Sequence, residues 1–306
     1  MRAKAVHRGR SVELIAGAVL VLGMVGVLAL GPILDPGDPG KTTPLLHTEG
    51  GGFVAPPYRP SPQFPLGSDW AGRDVLRMFL HGGRYTLAIA GSLALARVLI
   101  GGTLGLWAWS REGVLNRFIG IGAAVGGALP ALALGLAILR MVSGAGLSNA
   151  GAAMWFVASM ALLGWPRIAV AVARRVQWLL NQPFIEGARA IGCTPRRILR
   201  RHILPHLAVL LIVLLALEVS SALILLGQLG VFRAYIGGTE VIEREPFRLY
   251  VPISGEWAAS LSSARDSLRS APWIPLVPAA GILWASVAFT LVAEGLKRRF
   301  RRAGEW

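Results

Sequence analysis

The chain has 306 residues, 54% of them hydrophobic and only 15% charged, with a net charge of +15 and a mean hydropathy of +0.57. Soluble domains carry about a quarter charged residues, whereas apolar runs of roughly 20 residues, long enough to cross a bilayer, recur about six times here; one all-α membrane bundle is expected, not two soluble domains. The basic residues mark the ends of these runs, as topology signals do, and form no nucleic-acid face; one cysteine, Cys193, excludes a disulfide within the chain or a cysteine-rich metal site, and the histidines form no HExxH-type pair, so no metal site is expected.

In chain order, Arg2, Lys4, Arg8 and Arg10 precede the charge-free run Leu14–Leu34. That run is too long for a signal-peptide core, and no small-x-small cleavage site follows it. Residues 1–34 therefore read as a cytoplasmic N-terminus and a retained first span. Residues 35–84 read as an external loop and interfacial segment, because Asp35–Asp69 is rich in Pro and Gly. Within it, "DPGDPGKTT" imitates a phosphate-binding loop. Asp35 stands where the motif needs Gly, and neither a preceding strand nor a following helix is expected, so nucleotide binding by this chain is excluded.

Residues 85–306 read as a five-helix core. Its second span is expected at Tyr85–Trp109 with Arg97 near the middle, and its third at Phe118–Leu139. Gly122 and Gly126 share one face of the third span and would let a neighbouring helix approach closely. The fourth is expected from Asn149 to Val172, interrupted by Gly164, Pro166 and Arg167. The fifth follows at Leu207–Leu229 with Glu218 inside, and the sixth at Pro272–Ala293. Lys297, Arg298, Arg299, Arg301 and Arg302 come after it. With both termini inside, 19 of the 31 Lys and Arg residues fall in cytoplasmic segments and 11 in external ones, including the loop 230–271. This asymmetry supports six spans in that orientation.

The densest charge lies at 182–206, "QPFIEGARAIGCTPRRILRRHILPH", between spans four and five. Pro183 suits the first turn of a helix, Phe184, Ala188 and Ile191 are expected on one face of it, and Gly192 suits its stop. Thr194-Pro195 suits an N-cap and restart. Arg196, Arg197, Arg200 and Arg201 are expected at the level of anionic headgroups. The order predicts a short amphipathic helix, a turn, and a second helix entering the membrane. Arg97 and Glu218 are candidate pathway or buried charges, since a mid-membrane charge is functional by default. They are expected to face the bundle interior as a pair; the alternative is that Arg97 reaches a polar cavity or a second chain. Arg73 and Asp74 are expected to shape the outer helix.

The 182–206 stretch resembles the EAA loop of bacterial ABC-importer permeases, with Glu186-Gly187-Ala188, Gly192 and Ile203-Leu204-Pro205 in the family's places. Gly187 replaces the usual Ala, and the ending lacks a spacer. "PLGSDWAGRDVLRMFLHGGRYTL", "GWPRIAVAVARRVQWL" and "EWAASLSSARDSLRSAPWIPLVP" are similar to stretches of one subgroup, the second permease of dipeptide/oligopeptide importers. The segment "LLGQLGVFRAYIGG" departs from the family pattern, and the loop 233–256 is longer. The resemblance implies a multi-pass subunit of a bacterial cell membrane, the inner one in a Gram-negative host, with no catalytic residues and no cofactor of its own. It implies four partners: a second homologous permease, cytoplasmic ABC ATPase subunits that use ATP, an external solute-binding protein, and the bilayer. It implies coupling to the ATPase through Phe184, Glu186, Gly187, Ala188, Ile191 and Gly192. An ion-coupled secondary carrier is the alternative, and would want more intramembrane carboxylates and repeated halves. A membrane enzyme is a further one. It would want a catalytic polar cluster, and Glu186, His202 and His206 lack a nucleophile.

Overall fold

The computed structural model describes residues 12–34, 36–47, 52–108, 114–237, 239–244, 247–252 and 254–302. The basic residues Arg2, Lys4, Arg8 and Arg10, the segment 110–113 and Glu245 lie outside them. Among the described residues five helices are long and apolar enough to cross a membrane, and six spans result if one bent pair is counted as a span.

The first helix, α1, is Val12–Leu34. Two short antiparallel strands follow, β1 (Leu46–His47) and β2 (Phe53–Val54). Helix α2 runs Val75–Ala108, so it starts well before Tyr85 and the expected boundary at residue 84 falls inside it. Asp74 explains the early start. Its carboxylate accepts from the Leu76 N–H at 2.8 Å, which caps the helix within a polar stretch that hydropathy does not register as span.

The third span is not one continuous helix. It is α3 (Val114–Ala128) and α4 (Ala131–Gly144), bent by 86° at the break. Pro130 sits at the break with φ −68° and ψ 121°; it has no N–H to continue the ladder. The reverse holds for α5, Asn149–Leu180, which runs unbroken through Gly164 and Pro166 and past Val172. Dense packing explains the tolerance, because neighbouring helices hold a proline-containing span straight in lipid. A Cβ on Gly101 would stand 2.6 Å from the Trp165 carbonyl oxygen, and one on Gly105 2.5 Å from that of Ala169. These two glycines bring α2 onto α5 backbone to backbone. Gly122 and Gly126 of α3 likewise lie against Pro166 and the Leu163 carbonyl.

After α5 come α6 (Pro183–Ala190), α7 (Pro195–Ile198), a π turn at Leu199–Ile203, and α8 (Leu204–Val231). The loop after α8 contains an antiparallel hairpin, β3 (Thr239–Arg244) and β4 (Phe247–Pro252), with Thr239 opposite Pro252. Short turns follow at α9 (Trp257–Ser260), a 3₁₀ turn (Leu261–Ser263) and α10 (Ala264–Ser267). The last helix, α11, runs Trp273–Arg302 and so carries the basic run past Ala293. The main core lies among α1, α2, α5, α8 and α11, around Met24, Leu93, Phe156, Met160, Leu223 and Trp257. Apolar side chains such as Leu22, Leu99, Leu162 and Leu283 point outward, as a lipid-facing surface requires.

Candidate functional site

Two groups of candidate residues stand in different parts of the bundle. The first is the segment between α5 and α8. Gln182 occupies the N-cap position of α6 in an extended conformation, with Pro183 in the first turn. Its side-chain Nε2 donates to the Trp178 carbonyl at 3.1 Å, which ties the start of α6 to the end of α5. The stop is a Schellman motif. Cys193 N donates to Ala188 O at 3.0 Å and Gly192 N to Arg189 O at 3.0 Å, while Gly192 has φ +80°, a conformation glycine adopts without a Cβ penalty. The chain restarts at Pro195 with Thr194 in the N-cap position, but the threonine hydroxyl makes no capping bond. The π turn before Pro205 was not legible in the sequence. It adjusts the ladder where Pro205 has no N–H to donate.

The row Phe184, Ala188 and Ile191 is divided between the two sides of α6. Ile185 and Ala188 are its buried residues, joined with Val172, Val176, Leu179, Ile198, Ile203 and Leu207 in one apolar cluster. Phe184 is 43% exposed and Ile191 81% exposed, so Phe184, Ala188 and Ile191 do not form the inner face. Phe184 instead lies beside the rings of His202 and His206, at 6.2 and 5.7 Å. Glu186, Gly187, Arg189 and Gly192 are exposed, and a Cβ on Gly187 would meet nothing within 4 Å. The arrangement is a short helix fixed by its inner side to the end of α5 and the start of α8, with a mixed charged and apolar outer side.

The second group is the buried charge pair. Arg97 Nη1 donates to Glu218 Oε2 at 2.9 Å, with the two side chains 5% and 14% exposed. Arg97 Nε also donates to the Met160 carbonyl at 3.1 Å. One guanidinium therefore joins α2, α5 and α8. Gly164 makes room for it, since a Cβ there would fall inside the Arg97 side chain. Each charge satisfies part of the other's lost hydration, as a buried charge requires.

The loop before α2 carries a network that the sequence only hinted at. Asp69 accepts from the N–H groups of Ala71 and Arg73 at 2.9 and 2.8 Å and pairs with the Arg73 guanidinium at 2.6 Å. Arg73 Nη1 donates onward to the Pro252 carbonyl at 2.7 Å, which anchors the end of the β3–β4 hairpin. Trp70 Nε1 donates to Ser267 Oγ at 2.8 Å, and Trp273 Nε1 to the Ser68 carbonyl at 3.0 Å. Glu256, just before α9, was missed altogether. It is 3% exposed and its Oε1 accepts from Ile236 N at 3.1 Å. Burial pushes its carboxyl up to about 7, with the Ile236 bond opposing. Glu256 opens the stretch "EWAASLSSARDSLRSAPWIPLVP" that carries the family resemblance, but nothing in that stretch marks it as buried.

The sequence matches the family described as "Binding-protein-dependent transport system inner membrane component" over residues 99–302, from the last third of α2 to the end of α11. It is 30% identical over 239 residues to the glutathione transport system permease protein GsiD of Pectobacterium atrosepticum, covering 78% of this chain and 72% of that one. It is 29% identical over 294 residues to the di/tripeptide transport system permease protein DppC of Pseudomonas aeruginosa, covering 92% and 86%. It is 25% identical over 283 residues to the dipeptide transport system permease protein DppC of Alkalihalophilus pseudofirmus, covering 92% and 83%. A multi-helix bundle, a family match over two thirds of its length and permeases at this identity lead to one conclusion: the chain belongs to the binding-protein-dependent transport inner membrane components, as a permease subunit of an ABC importer.

Proposed function

We propose that this permease carries peptides or a closely related small solute, delivered by an external solute-binding protein, and that α6 is the element on which a cytoplasmic ATPase docks. The cargo class rests on the relatives, whose names specify glutathione, dipeptides and di- or tripeptides. A second homologous permease completes the pathway, and ATP is used on the partner subunits. Both termini lie in the cytoplasm, and the membrane is the inner one where the cell has two.

The observation that carries the coupling reading is the inner side of α6. Ile185 and Ala188 are locked into the cluster that holds the end of α5 to the start of α8. A push on the outer side, at Glu186, Gly187 and Ile191, is therefore passed to two membrane helices and not absorbed by a slack loop. A lever needs that rigidity, and it needs two states that a partner binds unequally.

The test is uptake into proteoliposomes holding the chain with its co-purifying subunits and binding protein. Labelled dipeptide, tripeptide and glutathione are each offered with and without ATP inside. ATP-dependent accumulation of at least one is expected. Accumulation driven by an ion gradient without ATP would overturn the reading.

A further inference from the structure

Helix α5 has two exposed faces of opposite character. Met154, Trp155 and Leu162, at 67%, 55% and 64% exposure, form an apolar one, as lipid requires. Arg167 and Arg174 are also exposed. They share a second face, about 140° around the helix from Leu162 at 3.6 residues per turn.

The depth of Arg167 is informative. The Arg97 guanidinium meets α5 at Met160 and α8 at Glu218, near the middle of α8. Arg167, counted among the cytoplasmic charges from sequence alone, lies only about 10 Å further along α5 at 1.5 Å per residue, inside the ~15 Å half-thickness of the hydrocarbon. A guanidinium facing lipid there is strongly disfavoured, and charges at such depth face a bundle interior or a water-filled cavity. A cavity lies close by along the same helix. Helix α3 covers one flank, over Leu163 and Pro166. Leu210 of α8 stands on the other. About one turn beyond Arg167 opens a cleft of about 380 Å³ lined by Ala171, Arg174, Arg175, Trp178 and Leu210. The Arg175 guanidinium lies over the Trp178 ring at 4.3 Å, which gives the cleft a fixed cationic wall.

We propose that this arginine face of α5, Arg167 with Arg174 and the cleft beside them, lines the inward mouth of the transport pathway and receives the carboxylate of an anionic solute. The proposal rests on the permease reading above. It adds a site and a preference: acidic solutes are drawn along this wall by charge, and the apolar part of the cleft takes an uncharged side chain.

The single cysteine makes the test direct. In a Cys193→Ser background, Ala171→Cys places a thiol in the cleft and Leu162→Cys places one on the apolar face. The full chain with its co-purifying subunits is treated, in membranes open to the α6 side, with an anionic and with a cationic methanethiosulfonate. Each rate is divided by that reagent's rate with a free thiol. Ala171→Cys is expected to react with both, the anionic reagent about tenfold faster, and Leu162→Cys with neither. Adding Arg167→Gln and Arg174→Gln is expected to remove the bias. An unreactive Ala171→Cys would mean that this face meets lipid or a partner helix, and a bias that survives neutralisation would acquit the arginines; either result overturns the proposal. In uptake assays the same double neutralisation is expected to reduce an acidic dipeptide more than a neutral one, and equal reduction would also overturn it. Labelling needs no transport, so a failure here is separable from a failure of the permease reading, which would show as absent ATP-dependent uptake with labelling unchanged.

Discussion

Removing one half of the Arg97–Glu218 pair strands the other. The pair is 2.9 Å apart with side chains 5% and 14% exposed. Breaking a buried pair by deleting one partner costs about 3–5 kcal/mol, whereas replacing both by apolar groups is often close to neutral. Glu218→Gln should fall at the lower end, ~3 kcal/mol, because Arg97 keeps its bond to the Met160 carbonyl. Arg97→Met should cost as much, since it leaves a carboxylate between α2, α5 and α8 without its cation. The double variant Arg97→Met/Glu218→Leu should return to within ~1 kcal/mol of the parent. Unfolding titrations of the purified chain in mixed micelles, run as a double-mutant cycle, give the coupling directly. Single variants that lose less than about 1 kcal/mol, or a double variant as unstable as the two losses added, would refute the pairing argument.

Further expectations follow from other contacts. Gly164→Ala should cost ~1–3 kcal/mol by forcing the Arg97 side chain aside, while Gly127→Ala, which meets nothing within 4 Å, should be nearly neutral in the same titration. The Glu256 carboxyl, raised by burial to about 7, binds its proton more tightly folded than unfolded. Its stabilising effect is therefore fully present below about pH 4.5 and lost as pH rises toward 7, a span worth on the order of 3 kcal/mol. Glu256→Gln should raise thermal stability at pH 8 and change it little at pH 4.5; equal shifts at both would contradict the buried-carboxyl account. Gly192→Ala puts a Cβ at φ +80°, a strain of ~1–2 kcal/mol, read as faster amide exchange over residues 185–193 with the rest of the bundle unchanged. Asp69→Asn should free the Arg73 clamp on Pro252 and speed proteolysis within 239–252, with no change at the α6 end.

Legibility followed the physics of each element. Helices α1, α8 and α11 were plain because long and strongly apolar runs have one reading in a membrane. Proline was the poorer guide. Pro130 breaks its span and Pro166 does not, and the difference lies in the neighbours: Gly101, Gly105, Gly122 and Gly126 bring α2 and α3 tightly onto α5, which the local sequence cannot encode. The inward side of α6 was left open for a related reason. An eight-residue helix has too few apolar positions for periodicity to choose between Ile185 and Phe184, and only the packed ends of α5 and α8 decide. Hydropathy placed Arg97 and Glu218 at mid-membrane depth, but their meeting depends on the rotation of three helices and on the missing side chain of Gly164. The burial of Glu256 was invisible because it is created by segments distant in sequence.

The measurement that bears most directly on the coupling role of α6 is a gentle-detergent pull-down of the tagged chain from its native membrane, beside a Glu186→Arg variant. Glu186 is exposed and takes no part in the inner packing of α6, so the reversal should leave the fold intact. A second permease is expected with both forms, and an ABC ATPase with the parent only. An ATPase retained at full level by Glu186→Arg would contradict docking at α6, and a chain that comes alone in both forms would contradict the proposed assembly.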